Sequence, residues 1–402
     1  MEFKYDTSPQ RCVMAPELKI QSAASKSLLR RIWLYILLAL PPAVLMALYY
    51  ILNDRKHIMD WVLANISLPY RDMAAQITAF GPFQYFSVAE MLITFLILWA
   101  LYFIVKSIII LKRSSNRLLN LGHRFYIIAV IALYIVAAHF WMWDSGYHST
   151  SLAEKTDLDS GGITTEQLTE VTRYFAEKAN ELSSHVKRDA DNRFHESRQT
   201  CFTPGKDLYT NIVKEFPALE GSNSVPKAMM YSKLMSASGF SGIYIALTGE
   251  MNINIDIPAP FIPVTIAHEM SHQRGVNSEA EANFASIAAC ITSDNPIYEY
   301  SGYLLGLIYL TNDLSKADPH AYGQITSTFN ENVTQDWNEN NDYWNSRETP
   351  ATEAVTTMYD SYLKSNGVAA GVRSYNDCVV MLVSWIQNSG RSRSGFYVEK
   401  RV

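Results

Sequence analysis

The sequence predicts an α-helical membrane anchor joined to a mainly α, α+β domain with a small sheet beside its principal helix. Three observations carry that prediction. Long apolar runs are confined to the first 145 residues, composition turns ordinarily globular beyond Asp144, and a period-two segment leads into a helix bearing two histidines four apart. The 402-residue chain has a formal charge of -5, which excludes the basic footprint of a nucleic-acid binder. Its mean hydropathy of -0.04 averages two unlike parts.

The anchor is read from three runs. "IWLYILLALPPAVLMALYYIL" (32–52) is uncharged over the roughly 20 residues a bilayer crossing needs, and its Pro-Pro pair is tolerated where neighbours re-satisfy the backbone. "FSVAEMLITFLILWALYFIVKSIIIL" (86–111) holds Glu90 near its start and Lys106 toward its end, within reach of an interface. "FYIIAVIALYIVAAHFWMW" (125–143) ends in aromatic residues suited to the headgroup region. The first run is longer than a secretory apolar core and lacks a small-residue cleavage site, so it is expected to stay as an anchor.

Lys26, Arg30 and Arg31 precede the first run, and Lys112, Arg113, Arg117 and Arg124 connect the second to the third. The positive-inside rule places both groups in the cytoplasm. The expected organisation is a cytoplasmic segment 1–31, a three-span region 32–143 and an extracytoplasmic domain 144–402. Arg55, Lys56 and Arg71 in the outer connection weaken the contrast without reversing it. There, Ile58, Trp61, Val62 and Ile66 recur at helical spacing, which fits either an interfacial helix or a loop with a few packed residues.

Beyond Asp144, residues 165–190 place Leu168, Val171, Phe175, Ala179, Leu182 and Val186 on one helical stripe with Tyr174 at its edge, and Thr165 is a candidate cap. Residues 206–216 read as a short helix. "GIYIALTGE" (242–250) reads as a strand, and "MNINIDIP" (251–258) alternates Asn252, Asn254 and Asp256 against Ile253, Ile255 and Ile257, giving one polar and one buried face. Pro258 and Pro260 stop it, and the next helix starts near Pro263. "YSGYLLGLIYLTNDL" (300–314) is short for a membrane span and fits the core. "TSTFNENVTQDWNENNDYWNSR" is a polar helix or loop, and 350–365 and 374–388 form the last helices. Cys12, Cys201, Cys290 and Cys378 are too few for a disulfide scaffold, and the three outer ones allow at most one bond.

The chemistry concentrates in "AHEMSHQRGVNSEAEANF" (267–284). Residues four apart share a helix face, so His268 and His272 can offer imidazole nitrogens to one metal ion, and neutral imidazole suits Zn2+. Glu269, rotated off that face, is placed as general base in this H-E-x-x-H arrangement. The competing reading is an exposed helix with two surface histidines and a salt-bridging acid. A third ligand is required. Ser278 stands where a metzincin would have histidine, which leaves Glu279, Glu281 and, farther on, Glu299. Gly275 can end the helix in a left-handed conformation, and Ser278 with Glu281 has capping-box spacing. That gives Glu281 a structural task and leaves Glu279 for the metal, although both also fit acids favoured near a helix N-terminus. Tyr375, Tyr244 and Arg274 are candidate oxyanion donors.

The run "SKLMSASGFSGIYIALTGEMNINIDIPAPFIPVTIAHEMSHQRGVNSEAEANF", behind three apolar spans, resembles the uncharacterised bacterial family known as domain of unknown function 3810. The resemblance covers most of the chain and is strongest over residues 226–290. It implies a membrane-anchored, zincin-like zinc-peptidase domain. The E-x-x-A-N pattern at Glu279 to Asn283 is similar to the segment supplying the third ligand in membrane-bound prenyl-protein peptidases and related bacterial zinc peptidases, and this selects Glu279. The gap from His272 is much shorter here. In H-E-x-x-H peptidases an edge strand commonly pairs with extended substrate, and "GEMNINIDI" resembles it, while its polar face also fits a solvated sheet face. The expectation is a multi-pass protein of the bacterial cytoplasmic membrane. Its zinc metallopeptidase site lies outside and acts on a peptide or protein, with the lipid bilayer but no nucleic acid as partner. A catalytically silent membrane binding or sensor protein is the competing class. Glu269 argues against it, because a binding module needs no base there.

Overall fold

A computed structural model describes residues 16–113, 116–158 and 162–391, except for the side chains of 16–29, 31, 204, 206, 375 and 376. Among the described residues, three stretches are long and apolar enough to cross a membrane: Ile32–Leu52, Val88–Arg113 and Arg117–His148. The first lies in the helix Pro16–Leu52, which passes through Pro41 and Pro42. Leu37, Ile51, Phe95 and Leu98 on these helices are exposed, an arrangement suited to lipid and not to water.

The connection between the first two spans is helical and packed. Helices Lys56–Val62 and Leu68–Thr78 are joined by a π-helical turn, Leu63–Ser67. Of the expected stripe, Val62 is buried while Trp61 and Ile66 are exposed. The wide turn rotates the later residues, so Ser67, Arg71, Ala74 and Ala75 take the inner face.

Hydrogen bonds stitch this connection and the spans to the rest of the chain. Asp60 accepts the Thr150 N–H at 2.6 Å and its hydroxyl at 2.7 Å. Glu250 accepts the N–H groups of Val88 and Ala89, at 2.9 and 2.7 Å, placing a carboxylate at the N-terminus of the second span. The buried Lys227 ammonium pairs with it. Glu90, expected to reach for an interface, is buried and accepts the N–H groups of Met230 and Tyr231, both at 2.8 Å.

In the globular part, the helix Thr165–Leu182 buries Leu168, Val171, Phe175, Ala179 and Leu182 as its periodicity predicts. Its cap is Thr164, one residue before the expected Thr165, because Gln167 completes a reciprocal capping box with it. The expected helix 206–216 divides into a 3-10 turn, Thr203–Asp207, and one helical turn, Ile212–Glu215. Helix Glu279–Ile291 is buried nearly throughout, and Pro296–Ala317 buries Tyr298, Tyr300, Leu304, Leu307 and Leu310, so the latter is core. Helices Glu331–Asn345, Pro350–Ser365 and Cys378–Ser389 follow. Cys201, Cys290 and Cys378 are buried and free, so none of the three forms a disulfide, and Cys12 lies outside the described residues.

The sheet has three strands, β1 (Lys227–Ala228), β2 (Gly242–Ile245) and β3 (Glu250–Ile253), in the order β1-β3-β2. β2 runs antiparallel to β3 with Ile243 opposite Asn252, and β1 runs parallel to β3. This corrects the strand reading twice. "GIYIALTGE" is a hairpin that turns after Ile245, and "GEMNINIDI" supplies the central strand, not the edge. Two of the three polar residues are buried: Asn252 Nδ2 donates to the Glu250 carbonyl at 3.2 Å, and Asn254 Nδ2 to Ser236 Oγ and the Phe240 carbonyl at 3.0 and 2.9 Å, while Asp256 is part-exposed. β1 and β2 form the two edges of the sheet.

Candidate metal centre

The motif helix, Ile262–Gln273, opens with Pro263 in its first turn, where proline sacrifices no intrahelical bond. It ends as expected at Gly275, whose φ of +86° is left-handed. That turn brings the Val276 carbonyl back to accept from His272 Nδ1 at 2.7 Å. The bond fixes the tautomer and leaves His272 Nε2 free to ligate. Beneath it, the fully buried Arg71 donates to the His272 carbonyl at 3.2 Å and through Nε to the Met142 carbonyl at 2.9 Å. A cation thus satisfies the C-terminal end of the motif helix. Burial pulls the Arg71 pKa down to about 10, so it remains charged at neutral pH.

Glu279 begins the next helix and faces both histidines. Its Oε2 lies 3.1 Å from His268 Nε2 and 3.7 Å from His272 Nε2. Among the described residues, His268, His272 and Glu279 form a group whose ligand atoms all lie within 4.8 Å of one another. The Tyr359 hydroxyl donates to the other Glu279 oxygen.

The other two acids lie elsewhere. Ser278 makes no side-chain cap bond, so the expected capping box with Glu281 does not form. Glu281 instead accepts the N–H groups of Leu152 and Ala153, at 3.0 and 2.9 Å, and caps the helix Leu152–Thr156. Glu299 sits half-buried in the first turn of Pro296–Ala317, with Asp294, Lys178 and Glu181 as its charged neighbours.

Burial alone would raise the Glu279 pKa, but His272 and His268 hold it well below the ordinary carboxylate range. Burial would lower that of His272, but Glu279 and Glu269 hold it up at about 9. Without metal, a proton on His272 therefore answers the charge on Glu279, and a divalent cation would take the proton's place. Glu269 differs. Burial raises its pKa despite the two histidines, and its Oε2 is buried without a hydrogen-bond partner. Two imidazoles and a carboxylate beside an unpaired acid oxygen fit a catalytic zinc site with an open position.

β2 passes directly over that acid. A Cβ on Gly242 would come within 2.5 Å of Glu269 Oε1 and 2.9 Å of Thr265 Cγ2. Gly242→Ala is therefore expected to displace the carboxylate and lower any turnover on the order of 10²-fold, with metal content unchanged. Unaltered kinetics for this variant would show that the close approach has no part in catalysis.

The candidate oxyanion donors part company. Tyr244 lines the cavity, and its buried hydroxyl has no partner. Arg274 is turned away, stacked 4.1 Å from the Tyr209 ring centroid and donating to the Met270 carbonyl at 3.2 Å. Tyr375 falls in the 3-10 turn Gly371–Asp377, but its side chain is outside the described part of the structure. Sequence reasoning missed two cavity residues on helix Pro350–Ser365, Tyr359 and Tyr362. Tyr362 donates to Asp144 Oδ1 at 2.5 Å, and His139 Nε2 lies 3.2 Å from the same oxygen. The three-residue spacing of the tyrosines put both on one helix face and was the available signal.

A cavity of about 800 Å³ opens over the cluster, walled by β2 and by the end of the third span. No curated protein and no solved structure matches the chain. A family model described as "Protein of unknown function (DUF3810)" matches residues 71–383, from the arginine beneath the motif helix to the last helix. The match takes in most of the chain, including two of the three apolar spans and the whole His-His-Glu cluster, and the chain belongs to the DUF3810 family.

Proposed function

We propose that this chain is a membrane-anchored zinc metallopeptidase with a zincin-like domain, hydrolysing peptide bonds outside the bacterial cytoplasmic membrane. The observation that carries the reading is the buried, unpartnered Glu269 oxygen beside His268, His272 and Glu279. These three residues would hold the ion. Zinc supplies Lewis acidity, which acidifies water and polarises a carbonyl. Glu269 takes a proton as the water oxygen bonds to the carbonyl carbon, then returns it to the amine as the C–N bond breaks. Of the candidate oxyanion donors whose side chains are described, Tyr244 lines the cavity and is assigned that role here. An extended substrate backbone lies along β2, which borders the acid at Gly242, and presents its scissile bond to Glu269. The test is a peptide library digested by the full-length protein: cleavage that stops on chelation and returns with one equivalent of zinc supports the reading, and chelator-resistant cleavage refutes it.

Orientation rests on the basic residues flanking the first and third spans. A cysteine placed at the exposed Lys155 is expected to react with a membrane-impermeant maleimide in intact cells. Three of the native cysteines are buried, and Cys12 is expected on the other side. Labelling at Arg117→Cys with protection at Lys155→Cys would reverse the topology.

A further inference from the structure

The cavity over the metal cluster is built partly from the membrane anchor. His139 and Met142 belong to the third apolar span, and both line the cavity. The imidazole of His139, in the last turn of the helix Arg117–Met142 that carries most of this span, is about two-fifths exposed, so the opening reaches that level. Among the described residues, the cavity walls carry no lysine, arginine or aspartate, and their only acids are Glu269 and Glu279. The remaining surface is dominated by side chains such as Ile243, Ile245, Leu247, Leu305 and Ile308. Away from the metal cluster, a charged substrate segment would meet no counter-charge among the described cavity residues and would be desolvated at a loss.

Around the second span lies a second set of unpartnered apolar groups. Phe80, Tyr85, Met230 and Leu234 are 78%, 72%, 70% and 66% exposed. Their depth is tied to the span by hydrogen bonds. Glu90 holds the backbone of Met230 and Tyr231, and the Tyr231 hydroxyl lies 2.9 Å from Thr94 Oγ1, in the second turn of the helix Val88–Arg113. Aromatic and long apolar side chains at this level belong in a membrane interface. Helix Ser232–Ala237, which carries Leu234, continues into Ser238 and Gly239 at the cavity and then into β2. The apolar face, the cavity and β2 are thus continuous, and they run on into the second and third spans.

We propose that the metal site is filled from the bilayer surface and that its substrate is an uncharged, apolar, extended polypeptide segment held at the lipid interface. The substrate part rests on the peptidase reading above; the membrane-facing surface does not. A fluorophore on Leu234→Cys or Phe80→Cys of the full-length protein, reconstituted in phosphatidylcholine–phosphatidylglycerol vesicles, should be quenched by brominated lipid. One on the exposed Glu177→Cys should not. In the same vesicles, a Leu/Val/Gly decapeptide bearing an N-terminal palmitoyl chain should be cut about tenfold faster than the unacylated peptide. Leu234→Asp should abolish that advantage while leaving the rate on the free peptide unchanged. Absence of quenching at both apolar positions, or equal rates for the two peptides, overturns the proposal. Quenching with neither peptide cleaved refutes the peptidase reading, and the substrate class with it, and leaves the membrane-facing surface standing.

Discussion

Glu269→Gln is expected to lower peptide turnover by about 10²-fold or more while zinc stays near one equivalent. The amide keeps the size and shape of the carboxyl group but cannot take a proton. Glu269 contributes none of the clustered ligand atoms, which come from His268, His272 and Glu279. Its Oε2 has no hydrogen bond to lose, and burial already raises its pKa, so the exchange removes a costly ionisable group from the interior. The variant should therefore fold at least as well as the parent. Zinc lost along with activity would place Glu269 among the ligands. Full activity with zinc bound would remove the general base from the mechanism and leave the silent binding protein as the better description.

Glu279→Ala is expected to abolish stoichiometric zinc binding, because a catalytic site needs three protein ligands and this substitution leaves two. It also strips His272 of the carboxylate that does most to hold its pKa at about 9, so the imidazole should titrate at lower pH in the metal-free variant. Proton NMR of the histidine ring can follow that change independently of zinc. Glu281→Ala should keep the metal. Its cost is structural: the N–H groups of Leu152 and Ala153 lose their carboxylate acceptor, on the order of 2 kcal/mol of stability. Glu299→Ala should leave zinc binding unaltered, since that residue lies outside the cluster. Zinc lost at Glu281 or Glu299, with Glu279→Ala still loaded, would discard the proposed ligand set.

How far the site could be read from sequence depended on whether its signals were local. The four-residue histidine spacing, the adjacent acid and the helix stop at Gly275 are features of one short segment, and the structure places them together within one turn and its flank. Glu279 needed an argument by elimination and resemblance, yet it too is only seven residues from His272. What escaped was non-local. Arg71 read as an outer-loop charge, whereas its guanidinium is buried against the His272 carbonyl some two hundred residues away. Glu281 was assigned a structural role but the wrong partner, since its acceptors serve a helix 128 residues upstream and not its own cap. The strand order was misread because "GIYIAL" is a continuous apolar run, and nothing in its pattern distinguishes one strand from a strand followed by a turn. Burial of Asn252 and Asn254 likewise depends on backbone carbonyls that only the folded sheet supplies.

The proposed function requires hydrolysis of a peptide bond at the His268, His272 and Glu279 cluster. It is tested most directly by digesting a peptide library with the zinc-loaded full-length protein in heavy-oxygen water and reading the products by mass spectrometry. New C-termini carrying heavy oxygen are expected, none of them formed after chelation and all of them restored by zinc. A protein that binds zinc at this cluster and yields no labelled termini, or whose labelled termini persist after chelation, would contradict it.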